Sequence, residues 1–131
     1  MIFDVRLCVN DRHGNFTGRC GQVSIAHRQW TGAMIYLDSP WADRSLKCRI
    51  EKGHLILGKA EVWKVYGYAT MVGNVHWDCV RMTAEDTASL LNFLVRKRYR
   101  PIEILCSLAE VLETSGEVTA ADLVRVCEVQ V

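Results

Sequence analysis

Residues 75–98 read VHWDCVRMTAEDTASLLNFLVRKR, and the sequence period changes inside this stretch. Up to Met82, apolar residues recur at every second position, which is typical of a strand with one buried face. From Thr83 onward they recur at helical spacing. The stretch therefore predicts an α+β fold, with an N-terminal antiparallel β-meander in residues 1–82 and a helical half in residues 83–131.

The N-terminal half alternates in short segments that are separated by turn residues. In the first segment, Phe3, Val5 and Leu7 share one face, while Asp4 and Arg6 share the other. Further strands are predicted over about 20–27, 33–37, 46–50, 54–57, 60–71 and 75–82. We expect five to seven strands, strongly twisted and able to curl toward a barrel.

Turn residues locate two hairpins and one break in this half. Glu51-Lys52-Gly53 separates two strands, and the Gly73-Asn74 pair favours a tight connection between two others. Gly67 lies inside the long run 60–71, where a glycine marks a bulge or a bend. Ser39-Pro40 predicts one helical turn near residues 38–43.

Capping signals predict three helices after Met82. Thr83 with Asp86 opens the first, which should run to about Arg98. Pro101 is expected at the first position of a second helix that ends near Thr114. Thr119 with Asp122 opens a third helix over 120–127. No linker interrupts the 131 residues, so the helices are expected to pack on the sheet within a single domain, 1–131.

The charge is unevenly distributed, although the formal net charge is only +1. Residues 1–82 carry 11 basic and 7 acidic side chains, whereas residues 83–131 carry 5 basic and 8 acidic. Such a split can orient a charged partner electrostatically.

The six cysteines are scattered singly, each within an apolar segment. This arrangement favours reduced, buried thiols over a disulfide framework. The sequence contains neither an N-terminal secretory signal nor an apolar run of the roughly 20 residues that span a bilayer. We therefore expect a cytoplasmic protein that does not contact membranes.

The sequence contains no recognisable motif for metal binding or for covalent catalysis. Structural zinc sites pair ligands two to four residues apart; the intervals within the set Cys8, His13, Cys20 and His27 are longer. His76 and Cys79 would lie on opposite faces of a strand. No nucleophile motif occurs. We predict no metal, no cofactor and no catalytic residue.

Two tryptophans in polar junctions are the candidate partner-binding anchors. Trp30 follows Arg28, and Trp41 precedes Arg44. Tryptophan and arginine are enriched at the centres of protein interfaces. The alternative is that these two rings fold back over an open end of the sheet. Trp63 and Trp77 lie within strands and are predicted to be core residues.

A basic run, Arg96-Lys97-Arg98-Tyr99-Arg100, is the sharpest polar feature. Its cations suit phosphates, and Tyr99 could stack on a base, so the run is a candidate nucleic-acid contact. The alternative is that these cations offset the negative end of the first helix dipole.

These observations predict a small, non-enzymatic binding protein that acts through protein–protein contact. Phage- or plasmid-encoded inhibitors of a host machine, such as anti-CRISPR proteins, are also small domains without recognisable motifs. This comparison is an analogy from size and lack of motifs alone. The first alternative is a nucleic-acid-binding accessory protein that uses the basic run. The second is a small enzyme of unrecognised type.

Overall fold

The computed structural model describes residues 1–9, 15–27, 34–38, 46–59, 61–73, 75–103 and 106–129. Within these ranges the chain forms nine strands and three helices, and eight of the strands precede the first helix. The strands are β1 (Ile2–Cys8), β2 (Gln22–His27), β3 (Met34–Asp38), β4 (Cys48–Glu51), β5 (His54–Leu57), β6 (Glu61–Lys64), β7 (Gly67–Met71), β8 (Trp77–Thr83) and β9 (Arg100–Glu103). The helices are α1 (Ala84–Arg96), α2 (Cys106–Ser115) and α3 (Ala120–Val129). The predicted α+β plan is confirmed.

The strands form two antiparallel sheets. The large sheet has the order β7-β8-β1-β2-β3-β9, and the small sheet has the order β4-β5-β6. Both are open, with β7 and β9 at the edges of the large sheet, so the described strands do not close into a barrel. The β4–β5 hairpin turns at Lys52 and Gly53, whose φ angles of 50° and 75° are those of the tight turn that matches strand twist.

One hydrophobic core joins both sheets to the helices. The inner face of the large sheet includes Phe3, Val5 and Leu7 of β1, which are at most 1% exposed, as their alternation predicts. Helix α1 contacts β1, β8, β6 and α3. Its buried side includes Leu91 and Leu94, both fully buried. Helix α1 therefore packs on one face of the large sheet, α3 packs against α1, and α2 packs against α3.

Both capping predictions are confirmed. The Thr83 hydroxyl accepts a hydrogen bond from the Asp86 amide at 3.2 Å. At the start of α3, the Asp122 amide donates to Thr119 Oγ1 at 3.2 Å, and the Thr119 amide donates back to the Asp122 carboxylate at 2.9 Å. The bonds from the Thr119 amide and hydroxyl lower the pKa of Asp122.

The long run 60–71 is not one strand. It forms β6 in the small sheet and β7 in the large sheet, and this division raises the number of strands above the expected five to seven. Gly67 lies at the change of sheet, where a Cβ atom would come within 3.1 Å of Arg81 Cδ. The glycine therefore leaves room for the Arg81 side chain, at the bend that the sequence predicted.

The connection from β7 to β8 is longer than predicted. Met71 pairs with Trp77, so five residues separate the paired positions instead of the two expected. Asn74 lies outside the described residues, as does most of the helical turn predicted near residues 38–43.

The prediction that Pro101 begins the second helix is wrong. Pro101 lies in β9 opposite Leu37 of β3, and α2 begins at Cys106. β9 is an edge strand, where the missing amide hydrogen of a proline is tolerated. The helical half thus returns one strand to the sheet before its second helix begins.

The end of α1 explains why the chain turns back toward the sheet. The Tyr99 amide donates to Leu94 O and the Arg98 amide donates to Val95 O, both at 3.0 Å. This bonding pattern is a Schellman motif. Its left-handed position is held by Arg98, with φ of 71°. Tyr99 and Leu94, at the two hydrophobic positions of the motif, are both fully buried.

Replacing Arg98 by glycine should stabilise the protein. Glycine adopts a left-handed φ without the Cβ clash that arginine meets, so we expect the free energy of unfolding to rise by about 0.5–1 kcal/mol. Lys97→Gly is the matched control, because Lys97 is also an exposed cation but has φ of −86°. Urea unfolding should show Arg98→Gly more stable and Lys97→Gly less stable than the parent. A loss of stability in both variants would contradict this account.

Candidate binding face of the large sheet

The predicted anchors Arg28, Trp30, Trp41 and Arg44 lie outside the described residues. Their role in partner binding stays a prediction, as does the alternative in which the two rings cover an end of the sheet. The other two tryptophans are described. Trp63 is 6% exposed and donates from Nε1 to Ser89 Oγ at 3.1 Å, which agrees with a core position. Trp77 is only half-buried.

The basic run is divided between the surface and the core. Arg96, Lys97 and Arg98 are exposed at the end of α1. Tyr99 is fully buried, and its hydroxyl donates to the backbone oxygen of Cys20. The Schellman motif directs the ring inward, so the prediction that Tyr99 stacks on a base is wrong. Arg100 opens β9 opposite Asp38.

The exposed cations of the run already have local neighbours. Arg96 Nη1 lies 3.9 Å from Glu117 Oε1, with both side chains well exposed. The Lys97 ammonium lies 5.8 Å from the centroid of the Phe93 ring. Exposed pairs of this kind contribute little to stability. These contacts agree with a local role for the cations at the end of α1. The contact with nucleic acid stays a prediction.

The face of the large sheet opposite the core, here the outer face, carries polar and aromatic side chains. Strand register sets them in rows across the sheet. One row is Ala69, Cys79, Arg6, Ser24 and Tyr36, taken from five successive strands. The next row contains Met71, Trp77, Cys8 and Gln22. The outer face is open at its centre, because Arg6 is exposed.

A shallow cavity of about 300 Å³ lies where these two rows meet. Arg6, Ser24, Tyr36, Met71 and Trp77 line it. The Ser24 side chain is buried, at 8% exposure, whereas Met71 at the rim of the cavity is 42% exposed. The cavity therefore combines one cation, a hydroxyl and two aromatic walls in a space at the small end of the range for ligand sites.

The charges around the cavity leave Arg6 available. Arg81 in the neighbouring row lies 3.3 Å from the Asp4 carboxylate, so that pair is mutually neutralised. Arg6 forms no ion pair with any of the residues that the structure describes. An acidic group that enters the cavity would therefore meet a guanidinium that no described carboxylate neutralises, and a guanidinium can bind a carboxylate through two parallel hydrogen bonds.

Cys79 lies beside Arg6 but is poorly suited to nucleophilic attack. Burial raises the pKa of the Cys79 thiol, the Asp4 carboxylate raises it further, and Arg6 and Arg81 oppose the rise. A thiol attacks as its thiolate, so a raised pKa makes Cys79 less reactive at neutral pH.

Cys8, Cys20 and Cys48 are free thiols as well, and all three are buried. Burial raises the pKa of Cys20 to about 12, against a hydrogen bond with Tyr99, and it raises the pKa of Cys48 as well. These thiols, together with Cys8, act as small apolar side chains, as the sequence indicates. The described residues contain no cluster of three or more Cys, His, Asp and Glu that is arranged for a metal ion.

A second polar cluster lies where β7 meets β8 on the inner face. Asp78 is 8% exposed and accepts a hydrogen bond from Thr70 Oγ1 at 3.0 Å. The Tyr68 hydroxyl contacts Thr70, and His76 Nε2 lies 3.7 Å from the Asp78 carboxylate. Thr70 donates to the carboxylate and not to the histidine, so the cluster lacks the nucleophile–base bond of a catalytic triad. Its arrangement satisfies a buried carboxylate.

Sequence reasoning missed the cavity because it assigned Trp77 to the core. The alternation in β8 contains the signal that was needed. Trp77, Cys79 and Arg81 share one parity, whereas Val80 and Met82 share the other and are fully buried. Parity therefore places Trp77 with the exposed Arg81 on the outer face.

Within the described ranges, no helix is both long and apolar enough to cross a bilayer. Comparison of the chain with protein-family models, with curated proteins and with solved structures finds no match in any of the three.

Proposed function

We propose that this is a non-enzymatic binding protein that holds an acidic segment of a partner protein on the outer face of its large sheet. The observation that carries the proposal is the position of Arg6, a cation without a carboxylate partner in the described structure, in a cavity walled by Trp77 and Tyr36. An acidic side chain of the partner would pair with Arg6. Apolar parts of the partner would lie against Met71 and Trp77.

The composition of the cavity supports a protein as the partner. Tryptophan, tyrosine and arginine are the residues that most often dominate the energy of protein interfaces. The volume of about 300 Å³ suits one or two inserted side chains of a larger surface. The non-enzymatic part of the proposal is supported by the raised pKa of Cys79 and by the bonding of Thr70 to Asp78.

The finer form of this proposal is a cytoplasmic inhibitor that blocks a host machine, of the kind that phages and plasmids encode against CRISPR systems. An arginine and an aromatic wall on an open sheet face would let a small domain occupy an acidic surface of a larger protein. The free thiols of the described cysteines agree with a reducing compartment.

Reversing the charge of Arg6 should strongly weaken binding to acidic peptides. We expect Arg6→Glu to weaken the affinity by about 30-fold or more, because a paired charge at an interface contributes roughly 2 kcal/mol or more. The measurement is a titration of labelled protein with short Asp- and Glu-rich peptides, followed by amide shifts in β1, β2 and β8. Lys-rich peptides serve as the negative probe.

Arg49→Glu is the matched control for this experiment. Arg49 is an exposed arginine of the small sheet, 62% exposed and 3.8 Å from Glu51, and its reversal should leave the affinity unchanged. Equal losses of affinity in both variants would show that the effect depends only on net charge, and this result would contradict the proposal. Tighter binding of single-stranded DNA than of any acidic peptide at the outer face would assign that face to nucleic acid instead.

A second candidate function is nucleic-acid binding through the end of α1. It is favoured by the exposure of Arg96, Lys97 and Arg98 on consecutive positions. Because Tyr99 is buried, the exposed part of the basic run contains no aromatic ring. Contact would therefore be with phosphates and would weaken steeply as the salt concentration rises. Binding to DNA or RNA that is lost in the triple alanine variant would support this function.

A further inference from the structure

Strand β7 is an edge of the large sheet, and it lacks the features that usually protect an edge. Edge strands commonly carry charges or a proline, which prevent pairing with another chain. β4 contains Arg49 and Glu51, β6 contains Glu61 and Lys64, and β9 contains Pro101. β7 reads Gly-Tyr-Ala-Thr-Met, with neither a charge nor a proline. Of the four edges of the described sheets, β7 is therefore the one open to pairing.

Apolar side chains are concentrated along this edge. Tyr66 is 58% exposed, Tyr68 56%, Met71 42% and Val72 77%. All four lie within seven consecutive residues. Exposed apolar groups along an edge strand mark a place where another chain can pair. An edge strand of this kind recruits a further strand through its unpaired backbone groups.

We propose that β7 pairs antiparallel with β7 of a second copy of this chain, about a twofold axis that passes beside Ala69. In that register Ala69 faces Ala69 of the second copy, and Tyr68 faces Thr70. Gly67 faces Met71. The Ala69 pair on the axis occurs once, and each of the other pairs occurs twice, as a twofold axis requires.

The pairs formed in this register are favourable ones. Tyr68 opposite Thr70 is an aromatic–β-branched pair, one of the cross-strand combinations that stabilise sheets. Met71 lies opposite a glycine, which leaves room for its long side chain. At the axis two alanines allow the backbones to approach closely. Tyr68 and Thr70, whose hydroxyls already contact each other within one chain, face each other again across the axis.

The absence of charge from β7 favours a second copy over an unrelated strand. A twofold axis brings every residue near it close to its own duplicate, so a charged residue there would face a like charge. Residues 66–72 contain none. The nearest cation before this segment is Lys64, whose ammonium lies 5.0 Å from the Tyr66 ring centroid, outside the paired positions.

Sedimentation velocity of the full chain tests this proposal directly. We expect a reversible, concentration-dependent species of twice the 14.9 kDa protomer mass. Ala69→Lys places two cations on the axis and should raise the dimer dissociation constant by about ten-fold. Val62→Lys is the matched control: Val62 is a strand residue, 51% exposed, on the protected edge β6, and the dimer should survive there.

Mixing two variants tests the register. Ala69→Lys and Ala69→Glu should each dimerise about ten-fold more weakly than the parent when alone, and an equal mixture should recover the parent affinity, because opposite charges then face each other at the axis. Thermal unfolding confirms that the exposed substitutions leave the fold intact. If the parent protein stays monomeric at millimolar concentration, the proposal is overturned. The partner of β7 would then be a strand of a different protein. A mixture without recovery, or a control as monomeric as Ala69→Lys, overturns the proposal equally.

Discussion

Tyr99→Ala is expected to lower the free energy of unfolding by about 3–5 kcal/mol, the usual cost of deleting a fully buried aromatic ring. Tyr99 is fully buried between the end of α1 and the segment that contains Cys20. Its removal would leave a cavity and would release the chain just before β9. Urea unfolding measures the loss. At this magnitude a large part of the stability of a small domain would disappear.

Tyr99→Phe separates the hydroxyl from the ring. The phenylalanine variant keeps the packing but leaves the Cys20 backbone oxygen without its donor, and we expect a loss of about 1–3 kcal/mol. Tyr68→Phe is the control, because Tyr68 is 56% exposed and its hydroxyl contacts Thr70 at the surface. That change should cost less than Tyr99→Phe. If Tyr99→Ala left the stability unaltered and impaired DNA binding, the result would show that the Tyr99 ring is exposed and available to a nucleic acid.

Asn92→Ala is expected to have the second largest effect on stability. Asn92 lies in α1, and its side chain forms two hydrogen bonds with the backbone of Val118, just before α3. Asn92 Nδ2 donates to Val118 O at 2.7 Å, and the Val118 amide donates to Asn92 Oδ1 at 2.8 Å. Val118 is 2% exposed, so alanine would leave both of its backbone groups poorly satisfied. We expect a loss of about 2–4 kcal/mol in the free energy of unfolding.

Hydrogen exchange can localise the effect of Asn92→Ala. The amides of α3 should lose protection more than those of β1, because the two bonds connect α1 to the segment that leads into α3. Ser115→Ala is the control. Ser115 is exposed and bonds the oxygens of Val111 and Glu117, so its loss should cost about 0.5 kcal/mol or less. Uniform loss of protection in the Asn92 variant would show that it weakens the whole core and not this connection.

Local signals predicted the parts of the fold that depend on neighbours in sequence. The alternation of β1, the turn at Lys52 and Gly53 and the two threonine caps all depend on residues within a few positions. Each of these features is confirmed. Such features follow from side-chain period and backbone preference, which a sequence contains in full.

The parts that sequence reasoning missed depend on distant partners. Gly67 signals a bend in the run 60–71, but the sheet that each half joins follows only from the strands that pair with it. Pro101 is a good first residue for a helix, yet it lies in β9 because the Schellman motif at Arg98 and Tyr99 redirects the chain. The cavity required strand register, which sets Arg6 beside Ser24 and Cys79. Pairing and register are tertiary properties and have weak local signals.

The two unlike edges of the large sheet limit how large an assembly can grow. Pro101 in β9 has no amide hydrogen to offer, so an incoming strand finds an incomplete ladder at that end. When two β7 strands meet, each protomer has used its open edge, and the ends of the joined sheet are both β9. In the proposed dimer, growth would therefore stop at a closed pair, without the strand-by-strand polymerisation that leads to fibres.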